Sequence, residues 1–209
     1  MAQYFVIHSK NPQPRLIRQA VQILRAGGLM AFPTDSCYAL GCHLGEKDAM
    51  ERIRRIRNVD DSHHFTLICR DLSELGQYAV VNNVQYRMLR AATPGSYTFI
   101  LKATREVPKR LMHPKRKTIG MRVPGQMVAN ALIEELGEPI LSSTLILPGD
   151  DSPMNDGVEI RDRLEHEVDL VLDSGSCGVA MTTVVDLTED VPLIVRIGKG
   201  DPSIFGIPA

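Results

Sequence analysis

Residues Leu29 to Gly41, LMAFPTDSCYALG, decide how the chain is read. The apolar run Leu29-Met30-Ala31-Phe32 predicts a short buried strand, and Pro33, which has no N–H for a ladder hydrogen bond, marks its end. Thr34, Asp35 and Ser36 follow at the strand's C-terminal mouth, with Tyr38 close behind. Ligands of open α/β sheets sit outside the carboxyl ends of strands, so these side chains are candidate ligand contacts. The same residue types also make turn hydrogen bonds, and the local pattern admits both roles.

Working outward, Tyr4 to His8 predicts a first strand, and Pro12 and Pro14 open a helix with Leu16, Ile17, Ala20, Val21, Ile23 and Leu24 on its apolar face. Gly27-Gly28 stops that helix, giving strand, helix and strand, the start of an α/β domain. On the other side, Lys47 to Arg57 predicts a helix with Ala49, Met50, Ile53 and Ile56 inward and Arg52, Arg54, Arg55 and Arg57 on its flanks. Such a density of fixed positive charge fits either loose pairing with Asp48 and Glu51 or contact with phosphate.

A polar loop from Asn58 to His64 precedes a strand at Phe65 to Cys69. Side chains at i and i+1 of a strand point to opposite faces, and no cysteine or carboxylate stands at zinc-site spacing from His63 and His64, so no metal site is expected there. Further helices are predicted at Asp71 to Tyr78 and Asn83 to Ala92, then a strand at Tyr97 to Lys102. Lys102, Arg105, Lys109, Arg110, Lys115, Arg116 and Lys117 come next, relieved by Glu106 alone, and Pro108 and Pro114 hold much of this stretch out of helix. Loops and strand ends are where phosphate contacts are commonly made. The strand Thr118 to Val123 puts Arg122 at a ligand-side terminus, and a helix ending at Leu136 leads to the strand Pro139 to Thr144, which runs into hydroxyls. Gly149 to Asp156 reads as a mobile loop, Val158 to Glu167 as a helix, and Leu170 to Leu172, Thr183 to Leu187 and Leu193 to Arg196 as strands; the residues from Gly198 read as a loose tail.

With 44% hydrophobic and 23% charged residues, the 209-residue chain is expected to form one globular domain over 1–209. A net charge of −1 excludes a uniformly basic coat, so affinity for nucleic acid requires a local patch. Cys37, Cys42, Cys69 and Cys177 form no CxxC pair, and the N-terminus does not look like a signal peptide, so free thiols and a cytoplasmic location are expected. No apolar run approaches the roughly 20 residues that span a bilayer, and no membrane contact is expected.

PTDSCYALG at Pro33 to Gly41, the helix ending at Arg57, PGSYTFIL at Pro94 to Leu101, MRVP at Met121 to Pro124 and the hydroxyl-rich strand end at Ser142 to Thr144 together resemble the YrdC-like family of threonylcarbamoyl-AMP synthases, and within it the YciO branch. The resemblance runs from about Arg15 to Arg196. It implies an α/β fold with a twisted, largely open mixed sheet flanked by helices and a concave basic cavity. In the synthases that cavity takes ATP and L-threonine, which with bicarbonate give threonylcarbamoyl-AMP and pyrophosphate, a reaction that calls for cations on a triphosphate and for Mg²⁺. Carried over, it puts Thr34 and Ser36 beside the amino acid, Arg122 on its carboxylate, Ser142 and Thr182 as further hydroxyl contacts, and Arg57, His63, Thr118, Thr144 and Arg196 toward the nucleotide.

The departures from the family pattern bear on function. Its Lys-x-Arg pair is Arg57-Asn58-Val59 here, its Ser-x-Asn is Thr144-Leu145-Ile146, the polar residue four places past the missing arginine is His63, and a glycine is replaced by Ala39. Arginine can hold phosphate in lysine's place with another geometry, whereas valine cannot replace arginine. The expected function is therefore binding of a nucleotide, of RNA (double-stranded RNA, tRNA or rRNA), or of both by a chain with a degenerate synthase site, with Arg52, Arg54, Arg55, Lys115, Arg116 and Lys117 meeting the RNA. The alternatives are an active threonylcarbamoyl-AMP synthase of tRNA t6A37 modification and another small-molecule enzyme in the same cavity.

Overall fold

The computed structural model describes residues 1–60 and 63–206. Its strands are β1 (Gln3–Val6), β2 (Leu29–Pro33), β3 (Tyr38–His43), β4 (Thr66–Ile68), β5 (Tyr97–Lys102), β6 (Thr118–Arg122), β7 (Ile140–Thr144), β8 (Leu170–Asp173), β9 (Thr183–Asp186) and β10 (Leu193–Arg196). The helices are α1 (Pro14–Arg25), α2 (Lys47–Arg57), α3 (Leu72–Tyr78), α4 (Asn83–Ala92), α5 (Met127–Leu136) and α6 (Gly157–Leu164), with short 3₁₀ turns at Lys109–Leu111 and Pro202–Phe205.

The strand at Leu29 ends at Pro33, as expected, but a second strand follows it. The chain turns through residues 34–37 and returns antiparallel as β3, pairing Leu29 with Cys42 and Pro33 with Tyr38. The hairpin is buried on both faces, so β3 shows no alternation of polar and apolar residues and its sequence alone did not mark it as a strand. Gly41 lets the strands meet at this point: a Cβ there would lie 2.5 Å from the Phe32 ring and 2.9 Å from Ile140.

All ten strands form one mixed sheet in the order β1-β8-β2-β3-β7-β4-β6-β5-β9-β10. Side-chain alternation gives the sheet two faces. One face carries Leu40, Leu67, Phe99, Met121, Leu141 and Val185 into a core shared with Met50 and Ile53 of α2, Leu75 of α3, Leu89 of α4 and Ile160 of α6. The opposite face carries Met30, Phe32, Ala39, Ile68, Ile140 and Leu172 under α1 and α5. Truncating one such core leucine or isoleucine costs roughly 2–5 kcal/mol. These two helices cover only part of their face. Farther along it, Thr66, Gly120, Thr98, Ile100 and Val184 line an open cleft.

Several loop expectations change. His63 and His64 precede β4 rather than standing on it, so the opposite-face rule does not apply and both side chains line the same cleft. Of the polar loop that holds them, Asp61 and Ser62 lie outside the described residues. The stretch from Gly149 to Asp156 is tied down: the Met154 N–H donates to the Leu145 carbonyl, and Asn155 accepts from the amides of Cys177 and Gly178 at 3.0 and 2.9 Å. Through Gly206 the supposed tail is packed. The Gly198 amide donates to Thr183 Oγ1, and the Phe205 ring meets Tyr97 and Phe99. Residues 207–209 lie outside the described residues.

Candidate functional site

The open part of the sheet holds a cleft of about 370 Å³. Strands β4, β5, β6 and β9 supply its floor through Thr66, Thr98, Ile100, Gly120 and Val184, while Arg57, His63, Ser143, Thr144, Thr182 and Arg196 stand around it. Gly120 keeps that floor flat. A Cβ at this position would lie 2.8 Å from Thr66 Oγ1 and 2.9 Å from the Phe65 carbonyl oxygen.

Arg57 reaches the cleft because α2 stops there. Asn58 takes a left-handed conformation (φ 50, ψ 50), which a short amide side chain tolerates, and terminates the helix. The Arg57 guanidinium then donates to Ser143 Oγ at 3.3 Å and to the Thr144 carbonyl. From β10, Arg196 donates to the Thr182 carbonyl at 3.0 Å. Burial lowers the pKa of both arginines from the ordinary value. Among the described residues their hydrogen-bond partners are neutral and no carboxylate lines the cleft. His63 Nε2 lies 3.1 Å from Ser143 Oγ. Burial first, and Arg57 second, hold its imidazole down to about 4. His64 is lowered by burial and by His113, whose ring stacks on it with centroids 4.9 Å apart.

A smaller recess continues the cleft inward past Thr34, Arg122 and Ser142. At its end the Arg122 guanidinium donates to the Asp35 carboxylate, to Ser36 Oγ at 3.0 Å and to Thr34 Oγ1 at 3.2 Å. Thr34 Oγ1 in turn donates to the Cys37 carbonyl at 2.6 Å. The polar turn therefore makes turn hydrogen bonds and cages an arginine at once. Burial pushes the Cys37 thiol up, away from the thiolate form a nucleophile needs. Ser142 Oγ donates to the Thr66 carbonyl at 3.0 Å, and Thr182 and Thr98 share a 2.8 Å hydroxyl contact. Thr118 is buried with its hydroxyl unpartnered and does not line the cleft.

The basic clusters separate. Arg52 donates to Asp169 at 2.8 Å and to the Glu167 carbonyl, Arg55 pairs with Glu167 at 2.7 Å, and Arg54 lies over the Phe65 ring and within 3.5 Å of Glu51. Only Arg57 of the four enters the cleft. The segment from Lys115 to Lys117 borders it through the His113–His64 stack, with Arg116 tied to Asp186 at 2.9 Å and Lys115 and Lys117 exposed. The expected single concavity joining both clusters is not formed, because acidic partners at Asp169 and Glu167 draw Arg52 and Arg55 elsewhere.

Ser143, Thr66, Thr98, Ile100 and Val184 were missed as site residues. Thr98 and Ile100 alternate with the core residues Phe99 and Leu101, which is a usable signal once the uncovered face is known. Val59 and Ile146, two places beyond Arg57 and Thr144, do not line the cleft. Among the described residues there is no helix long and apolar enough to cross a membrane.

YciO of Escherichia coli strain K12 is 58% identical over 98% of this chain and 100% of its own. The crystal structure of E. coli YciO superposes with a TM-score of 0.96, at 57% identity and the same coverage of both chains. The threonylcarbamoyl-AMP synthase of Nitrosococcus oceani is 31% identical over 75% of this chain and 84% of its own. Sua5 of P. abyssi, crystallised with L-threonine, shares the fold at a TM-score of 0.83 and 24% identity, covering 93% of this chain and 57% of that one. The Sua5_yciO_yrdC family model, described as "Telomere recombination", matches residues 22–198, and the chain belongs to this family.

Proposed function

We propose that the cleft binds the phosphate groups of a nucleotide, free or within RNA, and that the chain carries a degenerate threonylcarbamoyl-AMP synthase site. The observation that carries this is the convergence of two half-buried arginines, Arg57 from α2 and Arg196 from β10, on a cleft with no lining carboxylate among the described residues. Partly desolvated guanidiniums facing neutral oxygens are strong receptors for oxyanions. Ile100, Val184 and Val195 give the same cleft an apolar side suited to a base or sugar.

ATP and L-threonine are the substrates suggested by the synthase relatives. Mg²⁺ would be carried on the triphosphate, since the described lining residues offer it no carboxylate. What departs from a synthase is the cation count. Val59 leaves Arg57 without the second strong cation of a Lys-x-Arg pair, and Ile146 supplies no side-chain amide beside Thr144. For RNA, the exposed Lys115 and Lys117 beside the cleft are the contacts favoured here, ahead of Arg52 and Arg55, which are already paired.

Calorimetric titration of ATP at low salt tests the reading, with labelled tRNA in a parallel arm. Binding of either ligand that is lost in Arg57→Ala supports it. Binding of neither, by a folded wild type, contradicts it.

A further inference from the structure

We infer that His63 is a specificity residue of the cleft that recognises a fully ionised tetrahedral oxyanion as an imidazolium, taking up one proton as the anion enters. This rests on the proposed reading of the cleft as a phosphate site.

The geometry around Ser143 motivates it. Arg57 can only donate, so Ser143 Oγ uses a lone pair toward it at 3.3 Å and has its own hydrogen available for His63 Nε2 at 3.1 Å. That arrangement lets a neutral His63 accept at Nε2, with Ser143 as the donor. The groups acting on the ring agree. Burial, Arg57, His64 and Arg54 all oppose its charge, and among the described residues acting on it Asp60 alone favours it, leaving a value of about 4. On its other side, the Phe65 ring meets His63 edge to face, with centroids 5.5 Å apart, and brings no charge.

An anion resting on Arg57 reverses this balance. Its charge offsets Arg57, the largest charged opponent of the imidazolium, and its oxygens offer His63 Nε2 an acceptor where Ser143 had offered a donor. The proton comes from solvent and ends on Nε2. Arg57 Nε and His64 Nε2, both buried, have no hydrogen-bond partner among the described residues and belong to the same lining, so the cleft holds polar groups that a bound molecule can satisfy. A neutral ligand, or a carbonyl oxygen with little charge, would not draw the proton. His63 therefore discriminates by ligand charge at a point where Arg57, charged in both states, cannot.

Sulfate is the probe, because it stays a dianion across the pH range used. The His63 ring signal, identified by its absence from the spectrum of His63→Gln, is followed by NMR from pH 5 to pH 8 with and without saturating sulfate. Sulfate is expected to raise the His63 titration by more than one pH unit. If the ring returns to an ordinary value of about 6.5, affinity rises on the order of 20-fold between pH 7 and pH 5, one proton being linked to binding. His63→Gln should lose that rise. Sulfate that perturbs signals around Arg57 but leaves the His63 titration unmoved overturns this inference and spares the phosphate reading. No sulfate binding at either pH overturns this inference, while the phosphate reading stands or falls on the ATP and tRNA titrations.

Discussion

The Arg122 guanidinium at the end of β6 is ion-paired with the Asp35 carboxylate in the β2–β3 turn, with side chains only 8% and 14% exposed. Asp35 also accepts from Ser96 Oγ at 3.2 Å and from the Gly125 amide at 3.3 Å, so the pair joins three loops at the inner end of the recess. Removing one partner of a buried pair strands the other charge, at a cost of roughly 3–5 kcal/mol. Arg122→Ala should therefore lower folding stability by an amount of that order in urea denaturation, besides weakening any ligand carboxylate or phosphate that reaches the recess. A loss below about 1 kcal/mol, typical of an exposed pair, would leave Arg122 as a ligand contact alone.

Arg57 and Arg52 lie five residues apart on one helix and should behave differently. Arg57 faces the cleft with neutral partners, whereas Arg52 is held by Asp169 and the Glu167 carbonyl. Arg57→Ala should weaken ATP binding at least tenfold, since a charged hydrogen bond contributes about 1.5–3 kcal/mol. Arg52→Ala should leave ATP affinity within about twofold and act instead on thermal stability, an exposed-to-half-buried pair being worth on the order of 1 kcal/mol. Equal losses of affinity in the two variants, measured by calorimetry, would mean that the cleft is not where ATP sits.

Much of the fold was legible in the sequence, and the uneven part has a physical cause. The helices at Pro14 and Lys47 showed their buried faces by spacing: Ile17, Ala20, Val21, Leu24, Ala49, Met50, Ile53 and Ile56 are buried, while Leu16 and Ile23, expected on the same face, are half-buried at its edge. Strand β3 escaped because, buried on both sides, it has no polar alternation to detect, and Gly41 interrupts the kind of continuous apolar run that marked β2. The cleft was legible only in pieces. Thr34, Arg122, Ser142 and Thr182 were named through family motifs, yet Ser143 and Thr98 stood unnamed beside them, because which sheet face lacks a helix is a property of topology. The basic runs misled for the opposite reason. Local charge density is visible in a sequence, whereas the distant carboxylates that neutralise Arg52 and Arg55, at Asp169 and Glu167, are more than a hundred positions away.

RNA contact, if made at the rim, has a separate signature. Lys115→Ala with Lys117→Ala should weaken tRNA binding and flatten its dependence on salt by about two phosphate contacts, while ATP affinity stays within about twofold. Filter binding at several salt concentrations measures both. An unchanged salt slope in the double variant would remove the rim from the RNA interface.

The degenerate synthase site is the central claim, and it turns on Val59 and Ile146, two places beyond the cleft residues Arg57 and Thr144. Preorganised electrostatic contacts of the missing kinds are worth about 10²-fold or more each in transition-state stabilisation. The most direct test is pyrophosphate release from ATP, bicarbonate and L-threonine, measured with and without threonine. Wild type is predicted to show little or no threonine-dependent release, and Val59→Arg combined with Ile146→Asn to raise it. Robust threonine-dependent turnover by the wild type would contradict the claim and make the chain an active threonylcarbamoyl-AMP synthase.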